Sequence, residues 1–119
     1  MDFNYQVTES SGIHIVKLSG KLLSKEQSEA LTDQLEELVS GGQNRFVADL
    51  SELAHMNSTG LNVLITYLTK ARNAGGELVI TNVPDSINKL LIITKLNRVF
   101  HIEETLDQAL AALSGTIEK

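Results

Sequence analysis

Apolar segments of two different periods alternate along this chain, and this alternation limits the possible folds more than any other feature of the sequence. Short runs of apolar and β-branched residues indicate strands, whereas apolar residues spaced three and four positions apart indicate helices. In chain order the segments are strand, strand, helix, strand, helix, strand, helix, strand and helix. Strands that alternate with helices pair in parallel through right-handed crossovers. The sequence therefore predicts an α/β fold with a mainly parallel sheet, an N-terminal antiparallel hairpin and about four helices.

The boundaries of these segments follow from local signals. Alternating Phe3, Tyr5 and Val7 predict a first, half-buried strand, and Gly12 supplies the turn into a denser strand at 13–18. The signals that predict where the helices begin and end are capping-box patterns at Ser24 with Gln27 and at Thr105 with Gln108, the glycine pairs 41–42 and 75–76, and Pro84 in the first turn of a helix. The remaining predictions are strands at 46–50, 78–80 and 99–102, helices at 24–40, 58–74, 84–94 and 105–113, and a frayed tail at 114–119. With 119 residues, the chain is predicted to form one domain over 1–119.

Composition excludes several classes of function. The chain has no cysteine, and His14, His55 and His101 are scattered, so we expect neither a disulfide nor a metal site, and no cofactor. A net charge of −5 without a basic stripe argues against nucleic acid as the ligand. The sequence lacks a signal peptide and any apolar run of the roughly 18 residues that a membrane span needs. We therefore expect a soluble, cytoplasmic protein that does not bind a membrane.

The segment 56–61 places hydroxyl side chains where a predicted strand gives way to a predicted helix. It reads Met-Asn-Ser-Thr-Gly-Leu. The first turn of a helix offers unpaired N–H groups and a partial positive charge, both of which favour an anion. Asn57 or Ser58 could serve only as the helix cap, and Ser58 could also be a site of phosphorylation, since the two roles are compatible. Asp49 is expected at the preceding strand end, near Ser58.

This segment resembles the signature of STAS domains, in particular those of bacterial anti-sigma factor antagonists. Their pattern is an Asp-Leu-Ser strand end, a hydrophobic stretch, and then Met-Asp-Ser-Ser-or-Thr-Gly-Leu. The matching residues here are Asp49-Leu50-Ser51 and Met56-Asn57-Ser58-Thr59-Gly60-Leu61, with further similarity at Leu18-Ser19-Gly20 and Gly75-Gly76-Glu77-Leu78-Val79.

The resemblance implies a protein that switches between partners and is not an enzyme. Such an antagonist binds an anti-sigma factor that is also a serine kinase of the histidine-kinase-like ATPase fold, and this binding frees a sigma factor. The kinase then phosphorylates the serine that aligns with Ser58, and a serine phosphatase resets the cycle. The expected state alone is a monomer. The residues that the resemblance assigns to partner binding are Lys21, Leu22, Leu23, Asn57, Ser58, Thr59, Gly60 and Leu61.

Two departures from the family pattern shape the alternatives. Asn57 stands where the family has Asp, and Gly20-Lys21-Leu22-Leu23 stands where the family often has an acidic turn. The first departure motivates a second hypothesis, a non-switching STAS subunit of a stressosome-like scaffold or a lipid-transport complex. The second departure predicts a cognate kinase that is specific to this protein. A third hypothesis, an enzyme with Ser58 as nucleophile, lacks a base and the glycine that a nucleophile elbow places before its serine.

Overall fold

The computed structural model describes residues 2–115 as five strands and four helices. The strands are β1 (Asn4–Ser10), β2 (Ile13–Leu22), β3 (Arg45–Met56), β4 (Glu77–Thr81) and β5 (His101–Glu103). The helices are α1 (Glu29–Ser40), α2 (Ser58–Asn73), α3 (Asp85–Ile93) and α4 (Leu106–Gly115). Short 3-10 turns precede α1 at Glu26–Ser28 and β5 at Leu96–Arg98.

The strands lie side by side in the order in which they occur along the chain. β1 is antiparallel to β2, whereas β2–β3, β3–β4 and β4–β5 are parallel pairs. The hairpin turns at Ser11 and Gly12, whose φ angles of 52° and 83° are the left-handed pair that suits a two-residue hairpin loop. The predicted α/β fold, with its N-terminal hairpin, mainly parallel sheet and four helices, is confirmed.

Helices cover both faces of this sheet. Side chains at successive positions of a strand point to opposite faces. On β3, Phe46 and Ala48 pack in one apolar cluster with residues of α1, α2 and α3, whereas Val47 packs in a second cluster with Ala109 and Leu113 of α4. Three helices therefore lie on one face and α4 on the other. Burial on both faces explains the continuous apolar runs of β3 and β4.

The neighbouring strands β2 and β3 extend beyond their predicted ends. β2 continues to Leu22 and β3 to Met56, several residues past the apolar runs that defined the predictions. Pairing with β4 stops where Asp49 lies opposite Thr81, so beyond that point β2 is the neighbour of β3 among the described strands. A strand end with one neighbour needs few apolar residues, which is why the sequence reads as a loop there.

Several helix and strand ends also differ from prediction. α1 begins at Glu29 rather than at 24, because a 3-10 turn comes first. β5 begins at His101 rather than at 99, because the N–H of Val99 closes the preceding 3-10 turn on the carbonyl of Leu96 at 3.0 Å. Pro84 is the N-cap of α3, one position before the first turn.

The last helix begins at a predicted capping box. Thr105 and Gln108 form the predicted capping box, with reciprocal backbone-to-side-chain hydrogen bonds of 3.2 Å. α4 extends to Gly115, within the tail predicted to fray at 114–119, and positions 116–119 lie outside the described residues. None of the helices within residues 2–115 is long and apolar enough to cross a membrane.

Candidate functional site

The segment from Met56 to Leu61 passes from the sheet into a helix at the carboxyl end of the parallel strands. β3 ends at Met56, one residue follows, and α2 begins at Ser58. β2 ends at the same edge, because Leu22 is paired with Met56 in the sheet. In open α/β sheets this is the edge at which ligands and partners bind.

Asn57 is the N-cap of α2. Its backbone is extended, with φ −110° and ψ −171°, and its Oδ1 accepts a hydrogen bond of 2.9 Å from the N–H of Gly60. Its Nδ2 donates a second hydrogen bond, of 3.1 Å, to the carbonyl of Leu23. The sequence left Asn57 and Ser58 as alternative caps, and the structure assigns the cap to Asn57.

Ser58 and Thr59 therefore have hydroxyl groups that the helix start does not use. Both side chains are exposed, and within residues 2–115 neither hydroxyl makes a hydrogen bond. Ser58 is the first residue of α2, where backbone N–H groups lack partners and the helix dipole is positive. The Ser58 Oγ is thus open to another protein and lies in surroundings that stabilise a negative charge.

Gly60 allows α2 to approach the end of β2 closely. A Cβ atom at this position would lie 2.4 Å from the carbonyl oxygen of Leu22 and 2.8 Å from Cγ of Met56. Because one of these atoms belongs to the backbone, a side chain could be accommodated only if the helix moved. The glycine in the motif is therefore a packing requirement.

Gln27 fixes the chain that leaves β2. Its Oε1 accepts hydrogen bonds from the N–H groups of Leu23 and Ser24, at 2.8 and 3.0 Å, and its Nε2 donates to the carbonyl of Lys21 at 3.1 Å. The sequence predicted Ser24 and Gln27 as a capping box, and the Gln27 half of that pattern is present. Lys21 and Leu22 lie in β2, at the place where the family often has an acidic turn.

Burial divides the eight predicted partner-binding residues into two groups. Leu22, Gly60 and Leu61 are buried: the side chains of Leu22 and Leu61 lie beneath the exposed residues, and Gly60 lies against the end of β2. A buried side chain has no surface to offer a partner. The others form the exposed surface, with Lys21 half-buried and the rest exposed; they are Lys21, Leu23, Asn57, Ser58 and Thr59.

Asp49 lies further from the motif segment than predicted. It is buried within β3, seven residues before the strand ends, and not at its end. Its Oδ1 accepts hydrogen bonds from the N–H of Ser51 at 3.0 Å and from Nδ2 of Asn82 at 3.2 Å. The second hydrogen bond fixes Asn82, the residue that follows β4, against β3. The sequence analysis missed Asn82, although its φ of 55° is a conformation that asparagine adopts more readily than most residues.

A cavity of about 270 Å³ lies between the start of α1 and the first turns of α2. Its lining includes Lys25, Thr59 and Tyr67. The Tyr67 hydroxyl is hydrogen-bonded to Oγ1 of Thr32 at 2.9 Å and donates to the carbonyl of Ser28 at 3.4 Å. Burial raises the pKa of Tyr67 above its ordinary value of 10.0, and these two hydrogen bonds oppose that rise. Tyr67 therefore ties α2 to the start of α1.

The polar groups around Ser58 bear on the hypothesis that this serine is a nucleophile. His55 is exposed, and no imidazole or carboxylate among the described residues is hydrogen-bonded to Ser58. A serine nucleophile needs such a base. In the part of the chain that the structure describes, no three His, Cys, Asp or Glu side chains come together as metal ligands would.

Curated relatives cover nearly the whole chain. An anti-sigma F factor antagonist from Paenibacillus polymyxa is 27% identical over 95% of this chain and 97% of its own length. An anti-sigma-B factor antagonist from Staphylococcus aureus is 29% identical over 87% of this chain and 95% of its own length. A putative anti-sigma factor antagonist from Thermotoga neapolitana is 24% identical over 95% and 98%.

Solved structures share the fold. A putative anti-sigma factor antagonist from Thermotoga maritima superimposes with a TM-score of 0.83 at 19% identity, covering 92% of this chain and 94% of that one. The unphosphorylated form of the anti-sigma factor antagonist SpoIIAA gives 0.74 at 14% identity, covering 94% and 99%. The family model of the STAS domain matches residues 4–109, which span all five strands and the beginning of α4. The chain belongs to the STAS domain family.

Proposed function

We propose that this protein is an anti-sigma factor antagonist that is controlled by phosphorylation of Ser58. Its partner is an anti-sigma factor that is also a serine kinase of the histidine-kinase-like ATPase fold, and binding to that partner releases a sigma factor. A serine phosphatase restores the unmodified form. The protein acts in the cytoplasm as a binding module, not as an enzyme, and is a monomer between partners.

One observation carries the proposal: the hydroxyl of Ser58 is exposed and unused at the first residue of α2, while Asn57 performs the capping. Phosphorylation can therefore occur without removing a hydrogen bond on which the helix start depends. The names of the relatives from Paenibacillus polymyxa and Staphylococcus aureus support the general role.

The switch needs no refolding. A phosphoserine adds about −1.5 to −2 charges and three strong acceptor oxygens. At the start of α2 that charge is favourable within the protein, so the modified chain stays folded. At the centre of an interface the same charge removes complementarity and repels acidic groups of a partner. Release of the kinase thus follows from the change in surface charge.

Partner capture from a lysate of the source organism tests this function. The bait proteins are wild type, Ser58→Asp and Ser58→Ala, and bound proteins are identified by mass spectrometry. We expect wild type and Ser58→Ala to capture the kinase, Ser58→Asp to capture at least tenfold less, and only wild type to accept phosphate from ATP. Equal capture by wild type and Ser58→Asp would contradict the proposal.

Asn57 favours a second candidate, a non-switching STAS subunit of a larger assembly such as a stressosome-like scaffold or a lipid-transport complex. Its amide provides the cap without the negative charge that the family motif carries beside the serine. If that charge guides the kinase, Ser58 stays unmodified here. Capture of one fixed assembly without a kinase by all three baits, with no phosphate on native Ser58, would establish this alternative.

A further inference from the structure

Two lysines lie near the start of α2, although the chain as a whole carries a net charge of −5. The segment 21–25 contains Lys21 and Lys25 and no acidic residue, and the first turn of α2 also has none, whereas Glu26 opens the 3-10 turn that follows Lys25. Lys25 lines the same cavity as Thr59, and Lys21 lies opposite His55 in the sheet. Within residues 2–115 neither lysine has an ion-pair partner. Both charges are therefore available to a partner.

The backbone that carries these lysines is held in place. Gln27 binds the N–H groups of Leu23 and Ser24 and the carbonyl of Lys21, and Asn57 binds the carbonyl of Leu23. Leu23 thus has both its backbone polar groups fixed by side-chain amides. A surface fixed before binding loses little conformational entropy when a partner docks.

Leu23 provides the apolar centre of this surface. Leu23 is 43% exposed and lies between Lys21 and Lys25 in the sequence. Its carbonyl accepts a hydrogen bond from Asn57, the N-cap of α2. The other large exposed apolar side chains of the described residues follow or end α3, towards the opposite edge of the sheet; they are Ile92, Ile93 and Val99. An apolar centre with a charged rim is the usual composition of a binding surface.

We propose that the binding surface formed by Lys21, Leu23, Lys25, Ser58 and Thr59 docks onto an acidic surface of the kinase that has an apolar recess for Leu23. This inference rests on the function proposed above and adds the chemistry of the partner. It also explains how one phosphate suffices for release. A phosphate on Ser58 offsets the charge of the neighbouring lysines and repels the acidic groups that those lysines attract.

Charge reversal tests the proposal on kinases of this ATPase fold from the source genome, each purified alone. We compare wild type with Lys21→Glu/Lys25→Glu by calorimetry at low and physiological ionic strength. The double variant is expected to bind at least tenfold more weakly, and added salt to weaken its binding less than that of wild type or to strengthen it, because both attractive charges become repulsive. Lys21→Gln/Lys25→Gln is expected to lie between the two, and Leu23→Ala to weaken binding at both ionic strengths.

Lys95→Glu/Arg98→Glu is the matched control. It changes the net charge by the same amount at two exposed positions, one just before and one within the 3-10 turn that precedes β5, at the amino end of the parallel strands. We expect its affinity to stay within twofold of wild type. Equal loss in both double variants, or binding of Lys21→Glu/Lys25→Glu within twofold of wild type, would overturn the partner chemistry while leaving Ser58 control intact. Wild type that binds none of the kinases would refute the proposed function itself. Thermal unfolding confirms that each variant is folded.

Discussion

Asn57 shows how much one side chain contributes at the start of α2. A carboxylate in its place could still accept from the N–H of Gly60, but it could not donate to the carbonyl of Leu23, as the Asn57 amide does at 3.1 Å. The amide therefore links the helix start to the end of β2. Sequence reasoning predicted a cap from the residue type, but not the second bond, because its acceptor lies 34 positions away.

Gly60 gives a prediction at the same scale. We expect Gly60→Ala to lower the free energy of unfolding by about 1–3 kcal/mol, the usual cost of overpacking, because the new Cβ would meet the Leu22 carbonyl at 2.4 Å. Urea unfolding monitored by circular dichroism measures the change. Gly41→Ala is the matched control, since its Cβ would lie at an ordinary 3.5 Å from the carbonyl of Glu37. Equal effects of the two substitutions would contradict this reading of Gly60.

At the scale of whole elements, the sequence predicted which segments are strands and helices better than where they end. The buried centres of β3 and β4 are apolar on both faces and were recognised from this. The end of β3 was missed because Ser51 and Glu52 are exposed there. Its strand structure depends on pairing with β2, 30 and more positions away, and local composition does not record such pairing.

The substitution Tyr67→Phe tests how much the contact between α1 and α2 stabilises the protein. Replacement by Phe removes the hydrogen bonds to Thr32 and Ser28, and we expect a loss of about 0.5–1.5 kcal/mol in unfolding free energy at pH 7. Burial raises the pKa of Tyr67 in the folded state, so the unfolded chain releases this proton at lower pH than the folded one. The stabilising contribution is complete below about pH 10 and is lost as the pH rises through the folded-state pKa.

Unfolding free energies of wild type and Tyr67→Phe between about pH 8 and pH 11 check that sign. The loss of stability with rising pH is expected to be steeper in wild type, because Lys and other groups contribute equally to both proteins. Thr32→Val is the control: it removes a hydrogen-bond partner but keeps the phenol, so its pH dependence is expected to remain steep. Parallel curves for wild type and Tyr67→Phe would show that the folded state does not perturb this group.

At the scale of the whole molecule, the parallel topology assembles the site. Parallel strands place the end of β2 beside the end of β3, and this brings the segment 21–24 against the start of α2. The order of elements was predictable because each crossover buries an apolar helix face on the sheet. The hydrogen bonds that the side chains of Gln27 and Asn57 make at that edge were not predictable, because they depend on the relative position of two strand ends in three dimensions.

The topology also predicts that a negative charge on Ser58 leaves the fold unchanged. We expect Ser58→Asp to raise the unfolding free energy by about 0.3–1 kcal/mol, because the charge lies at the positive end of α2, whose first turn has no acid. The same substitution at Ser40, the last residue of α1, is the matched control and is expected to lower stability by a similar amount. Amide spectra should change in Ser58→Asp only near 21–25 and 57–62. Spectral changes that reach α4 or β5, or a loss of stability equal to that of Ser40→Asp, would mean that phosphorylation acts by altering the fold. Release of the partner could then not be explained by surface charge.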